Sequence, residues 1–169
     1  MPDGSVVNKT QAGVITLDAL IIGAGFSGLY QLLSLRDKLG LKAKVVEAGD
    51  GVGGTWYWNR YPGARCDSES HSYSYYFDKE LLEEWQWSER YPGHAEVVRY
   101  LNYAADKLDL KRDIHFNSRV LSAHYSQSEN RWIVKTEDGR EFVCTYLITA
   151  VGCLSSTNIP KFPGHESFE

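Results

Sequence analysis

Gly23-Ala24-Gly25-Phe26-Ser27-Gly28 forms a G-x-G-x-x-G run, and an acidic residue, Glu47, stands 19 positions after its last glycine. One chemistry accounts for every part of this pattern. Gly23 permits a tight turn, Gly25 leaves the backbone bare for a pyrophosphate, and Gly28 lets a helix pack closely on a strand. The free N–H groups and positive dipole end of that helix suit phosphates. Phe26 and Ser27 lie within the turn, and Ser27 can add a hydroxyl or backbone contact. Glu47 can accept hydrogen bonds from ribose hydroxyls and would repel a 2′-phosphate. The site therefore fits FAD or NAD and not NADP. A second stretch, VGGTWYWNRYPGARCD at Val52–Asp67, packs glycines, aromatics, arginines and a carboxylate into one run. No ordinary helix or strand is written this way.

The elements around these residues place them. Leu17–Ile22 is a short apolar run ending at Gly23, which reads as a buried parallel strand. Ser27 to about Leu39 reads as a helix with a leucine stripe, stopped by Gly40. Ala43–Val46, closed by Glu47, completes a βαβ unit. Residues 49–92 read as a long functional loop. A helix is expected from Gly93 and His94 to about Leu108, then a strand at Ile114–Asn117. Arg119–Tyr125 and Arg131–Thr136 flank a polar turn as a hairpin, and Glu141–Ala150 returns. Residues 1–16 read as a loose arm, 17–158 as the cofactor-binding domain and 159–169 as the start of a linker.

Composition bounds the rest. The chain has 169 residues, 43% of them apolar, enough for one domain with a core. The net charge of −4, with no basic run, argues against nucleic acid and membrane surfaces. No signal peptide is recognisable, and Cys66, Cys144 and Cys153 show no C-x-x-C spacing. A reduced, cytoplasmic setting is expected. The five histidines lack zinc spacing, so no metal is expected. Glu83-Glu84 and the pair Asp109/Asp113 read as solvated faces. Trp85, Trp87, Tyr100 and Tyr103 read as packing residues.

The fold class implied is α/β: a βαβ unit followed by an antiparallel meander and a strand ending in YLITAVG. This resembles the FAD domain of the two-dinucleotide-binding flavoproteins, in incomplete form. Those proteins carry a similar strand ending, here Ala150 and Gly152, that bends under the cofactor. Leu32 departs from the resemblance, because many FAD fingerprints have Gly or Ala there. GTWYWNRYPGARCD at Gly54–Asp67, WSERYP at Trp87–Pro92 and IPKFPGHESF at Ile159–Phe168 together resemble the N-terminal region of the Baeyer–Villiger monooxygenases. That family's signature, F-x-G-x-x-x-H-x-x-x-W-[P/D], would begin at Phe168, so the chain is expected to be an N-terminal portion. The resemblance implies FAD and NADPH as cofactors, with the NADPH site mostly outside this chain. It implies conversion of ketones to esters or lactones by O2 through a flavin peroxide. It also implies FAD contacts at Gly54, Thr55, Trp56, Tyr57, Trp58, Asp67, Tyr73 and Val120, with Arg65, Cys66 and Asp67 on the nicotinamide side. The aromatics suit a wall that excludes water. Asp67 is the catalytic candidate, a carboxylate that could orient an arginine contributed from elsewhere. The partners implied are a small ketone and O2, and the resemblance leaves open a complementing chain or self-association. Related N- or S-oxygenating monooxygenases, an NAD(P)H:FAD reductase and a cofactor-binding piece without turnover are the alternatives. The lack of a cysteine pair argues against the reductase, and the aromatic run argues against the other monooxygenases.

Overall fold

The computed structural model describes residues 13–167. Six strands form one mixed sheet: β1 (Ile15–Ile22), β2 (Ala43–Val46), β3 (Ile114–His115), β4 (Val120–Ser126), β5 (Arg131–Thr136) and β6 (Glu141–Thr149). Their order is β3-β2-β1-β6-β5-β4. β1 pairs in parallel with both β2 and β6, while β5 pairs antiparallel with β4 and β6. The meander is thus continuous with the parallel sheet, and β6 belongs to both. β1 is central, which explains its unbroken apolar run: Ala19, Leu20 and Ile21 are fully buried.

Helices α1 (Phe26–Leu33) and α4 (His94–Lys107) supply most of the main core. Leu29, Leu32, Val97, Tyr100, Leu101 and Ala104 meet Ala19, Ile21 and Val45 there. Leu32 is fully buried in this core. A second cluster, built on Leu17, Leu20, Val134, Phe142 and Cys144, lies where β1 meets the meander.

Several expectations shift. The arm expected over 1–16 lies outside the described residues as far as residue 12, and Ile15 and Thr16 already belong to β1. The first helix is regular only to Leu33; Ser34–Lys38 forms a wider, π-type turn. That turn carries Arg36, which donates to the carbonyls of Leu108 and Asp109 and to Asp113. Asp113 is therefore no solvated face. Burial pushes its pKa up, but hydrogen bonds from Lys44 and Arg36 outweigh that and hold it below the usual carboxylate value. The strand expected at Ile114–Asn117 ends at His115, because Asn117 turns the chain with a φ of 52°. The long segment from 49 to 92 is not all loop. It contains α2 (Thr55–Trp58) and α3 (Lys79–Glu84), the latter capped by Asp78, which accepts from the Leu81 N–H. Residues 159–167 are exposed, with a short 3-10 turn at His165–Ser167; the signature start at Phe168 lies outside the described residues.

Candidate cofactor groove

The groove begins where β1 stops. Gly23 adopts a φ of 104°, and a methyl group there would meet the Ala150 carbonyl oxygen at 2.6 Å. A methyl on Gly28 would lie 1.8 Å from the Gly23 carbonyl oxygen. The crossing of β1, α1 and β6 is thus closed to any side chain. Gly25 and Gly54 face each other backbone to backbone. A methyl on Gly54, whose φ is 53°, would approach the Gly25 Cα to 2.9 Å. The Gly53 N–H donates to the Ala24 carbonyl at 3.0 Å and ties the two loops. Gly25 caps α1 without a side chain covering the first N–H groups.

Glu47, at the end of β2, is only 5% exposed. Its carboxylate accepts from the Ala24 N–H and from the Gly49 N–H, both at 2.8 Å. A carboxylate has about four lone-pair sites, so each oxygen retains capacity toward the groove. The Glu47 N–H donates to the His115 carbonyl, and the Ser118 N–H donates to the Glu47 carbonyl at 2.8 Å. The end of β3 and the turn after it therefore form one side of the groove.

The space divides into two connected compartments. The larger, about 630 Å³, is lined by Gly23, Gly25, Glu47, Gly54, Thr55, Trp58, Val120 and Ala150 from the expected set. The smaller, about 300 Å³, is lined by Phe26, Ser27, Trp56, Tyr73 and Gly152, and shares Gly25, Gly54, Thr55, Ala150 and Val151 with the first. Trp56 Nε1 donates to the Tyr73 hydroxyl at 3.0 Å. The Phe26 and Tyr73 rings meet edge to face, with centroids 4.9 Å apart. Burial raises the Tyr73 pKa against the Trp56 hydrogen bond, and the nearby Cys66 and Asp67 add to the rise.

Other expected residues lie outside both compartments. Gly28 lies beneath the turn. Tyr57 stacks edge to face on Trp58 and donates to Asp50, so it braces the 49–53 turn from behind. Arg65 is exposed and pairs with Glu89 and the Tyr91 carbonyl. Cys66 is buried at 3% exposure, and its N–H donates to the Pro92 carbonyl. Asp67 is exposed. Sequence reasoning missed Asn59, Ser118, Arg119, Leu154, Ser155 and Thr157 as lining residues. Only the sheet order, which seats β3 beside β2, brings Ser118 and Arg119 to Glu47.

The geometry fits a dinucleotide. A side-chain-free cradle stands at a helix N-terminus, a buried acid lies on one flank and an aromatic compartment on the other. Among the described residues no cluster of His, Cys, Asp and Glu suits a metal, and no helix is long and apolar enough to cross a membrane.

The family model for an NAD(P)-binding Rossmann-like domain matches residues 21–84. The chain is 49% identical over 153 residues to an acetone monooxygenase (methyl acetate-forming) of Gordonia sp. (strain TY-5), covering 90% of this chain and 28% of that protein. It is 47% identical over 152 residues to a Baeyer–Villiger monooxygenase of Pseudooceanicola batsensis, with the same coverage. A phenazine N-monooxygenase of Lysobacter antibioticus is 45% identical over 152 residues, again at 90% and 28% coverage. Among solved structures, a closed crystal structure of cyclohexanone monooxygenase superposes with a TM-score of 0.86 at 44% identity, covering 93% of this chain and 30% of that one. Over about nine-tenths of its own length, this chain is a homologue of the Baeyer–Villiger monooxygenases, and it spans about 28% of their length.

Proposed function

We propose that this chain holds FAD as the cofactor-binding part of an NADPH-dependent monooxygenase that converts ketones to esters or lactones with O2. The observation that carries the reading is the two-compartment groove, with Glu47 at one end and Trp56 and Tyr73 at the other. When bound, FAD supplies the path by which electrons from NADPH reach O2.

The chain's own residues have separable tasks. Glu47 holds the ribose of the adenosine half through the lone pairs that its two backbone partners leave free. Gly25 and Gly54 let the pyrophosphate touch backbone beneath the first turn of α1, whose N–H groups and dipole stabilise its charge. Phe26, Trp56 and Tyr73 keep water from the opposite compartment, which strengthens electrostatic control there. Asp67, close enough to influence Tyr73, orients an arginine contributed from outside these residues. The NADPH site lies mostly outside them as well.

A second reading concerns the acceptor of oxygen. The N-monooxygenase relative is nearly as similar as the Baeyer–Villiger relatives. Overall similarity in this region therefore does not separate ketone from ring nitrogen, and the weight placed on the aromatic run against N-oxygenation falls away. The test is direct. The purified chain, stripped of ligand and titrated with FAD, should quench flavin fluorescence and shift the flavin absorbance bands with saturation. A chain that takes up no FAD under these conditions overturns the proposal.

A further inference from the structure

Arg119 stands at the Glu47 end of the groove on a rigid base. The Ser118 N–H donates to the Glu47 carbonyl, and the Glu137 N–H donates to the Arg119 carbonyl, each at 2.8 Å. Ser118 is buried at 1% exposure, its hydroxyl donating to Asp138 at 2.7 Å and accepting from Arg140 at 2.9 Å. The backbone is thus held on both sides of a side chain that is itself exposed.

The Arg119 guanidinium has no hydrogen bond or ion pair among the described residues. Arg36, Arg65, Arg90 and Arg140 all have carboxylate partners. Arg99 also lacks a partner, but it lies outside both compartments. Glu47 does not engage Arg119: its carboxylate accepts from the Ala24 and Gly49 N–H groups, and among the described residues no hydrogen bond or ion pair joins it to the guanidinium. The remaining walls at this end include Ile22, Val46 and Val120. A planar, weakly hydrated cation beside an apolar slot, next to a ribose-binding acid, suits the face of an electron-rich heteroaromatic ring.

We infer that Arg119 lays its guanidinium on the adenine ring of the bound dinucleotide and so sets the preference for FAD over FMN. The inference rests on the FAD reading above. A 2′-phosphate is the competing use of an arginine here, and the neighbouring Glu47 carboxylate opposes it.

The experiment titrates the ligand-free 169-residue chain and its Arg119→Ala and Arg119→Lys variants with FAD, FMN, ADP and 2′,5′-ADP, by fluorescence quenching and calorimetry. Arg119→Ala should weaken FAD and ADP about fivefold to thirtyfold and leave FMN unchanged. Arg119→Lys should resemble Arg119→Ala, since lysine has the charge without the plane. The melting temperature without ligand should not move. Unchanged FAD and ADP affinities, an equal loss for FMN, or full rescue by lysine would each overturn the inference. So would a parent chain that prefers 2′,5′-ADP to ADP, which would make Arg119 a phosphate contact. A parent chain that binds neither FAD nor ADP overturns the cofactor reading and this inference together. Binding by the parent with no change in the variants overturns this inference alone.

Discussion

The glycine turn at 23–28 and the aromatic segment at 52–92 face the same groove but are built by opposite means. In the first, side chains are excluded: backbone atoms of Gly23, Gly28 and Ala150 lie so close that one methyl group has no room. In the second, side chains do the building. Tyr100 lies at the centre of a cluster with Phe26, Tyr75, Trp85 and Trp87. Its hydroxyl accepts from the Tyr75 N–H at 2.7 Å, while the Tyr75 hydroxyl donates to the Phe26 carbonyl at 2.7 Å. The aromatic segment thereby grips the first turn of α1. A turn packed backbone to backbone needs absence of bulk, and the frame that holds it in place needs bulk.

This contrast can be broken by mutation. The largest effect is expected at Gly28→Ala, where the clash is with a backbone oxygen that cannot swing aside. Thermal or urea unfolding should show a loss of about 3 kcal/mol. A smaller loss than that of the next variant would reverse the contrast. Tyr100→Phe keeps the ring and removes the hydroxyl, leaving the Tyr75 N–H unpaired in the core. A loss of about 1–2 kcal/mol is expected, with packing otherwise retained.

The smallest effect concerns pH. Burial lowers the His115 pKa below its ordinary 6.5, and the nearby Arg140 and Lys44 charges lower it further. The unfolded chain then binds the proton more readily than the folded one. This contribution is complete above pH 6.5 and is lost as the pH falls through the folded value. His115→Phe should flatten that part of the stability profile, measured as urea midpoints from neutral pH downward. An unchanged slope would remove His115 from the account.

The βαβ unit and the glycine turn were legible in the sequence because each glycine there answers a local steric demand. The meander was legible from alternation and turn residues. The wide turn at Ser34–Lys38 was not, because Arg36 reaches partners far along the chain, at Leu108, Asp109 and Asp113. Asp113 was misread for the same reason: two of its cations, Arg36 and Lys44, come from distant elements. Ser118 and Arg119 carry no motif, and their place beside Glu47 follows from strand order. The aromatic segment was legible only through family resemblance, since its order comes from ring contacts and not from helical or strand period. Trp85, Trp87 and Tyr100 do pack together as their bulk suggested.

The pairing of β1 with β6 has a further consequence. The strand that launches the glycine turn is completed by the last strand of the sheet, and Ile22 lies opposite Thr149. Such nonlocal pairing incurs loop-closure entropy before it is rewarded, so it belongs to the slow part of folding. During synthesis, the glycine turn leaves the ribosome long before Ala150, the residue it must touch. Through that interval the groove stands half built, and this wall is completed only once β6 has emerged and paired with β1.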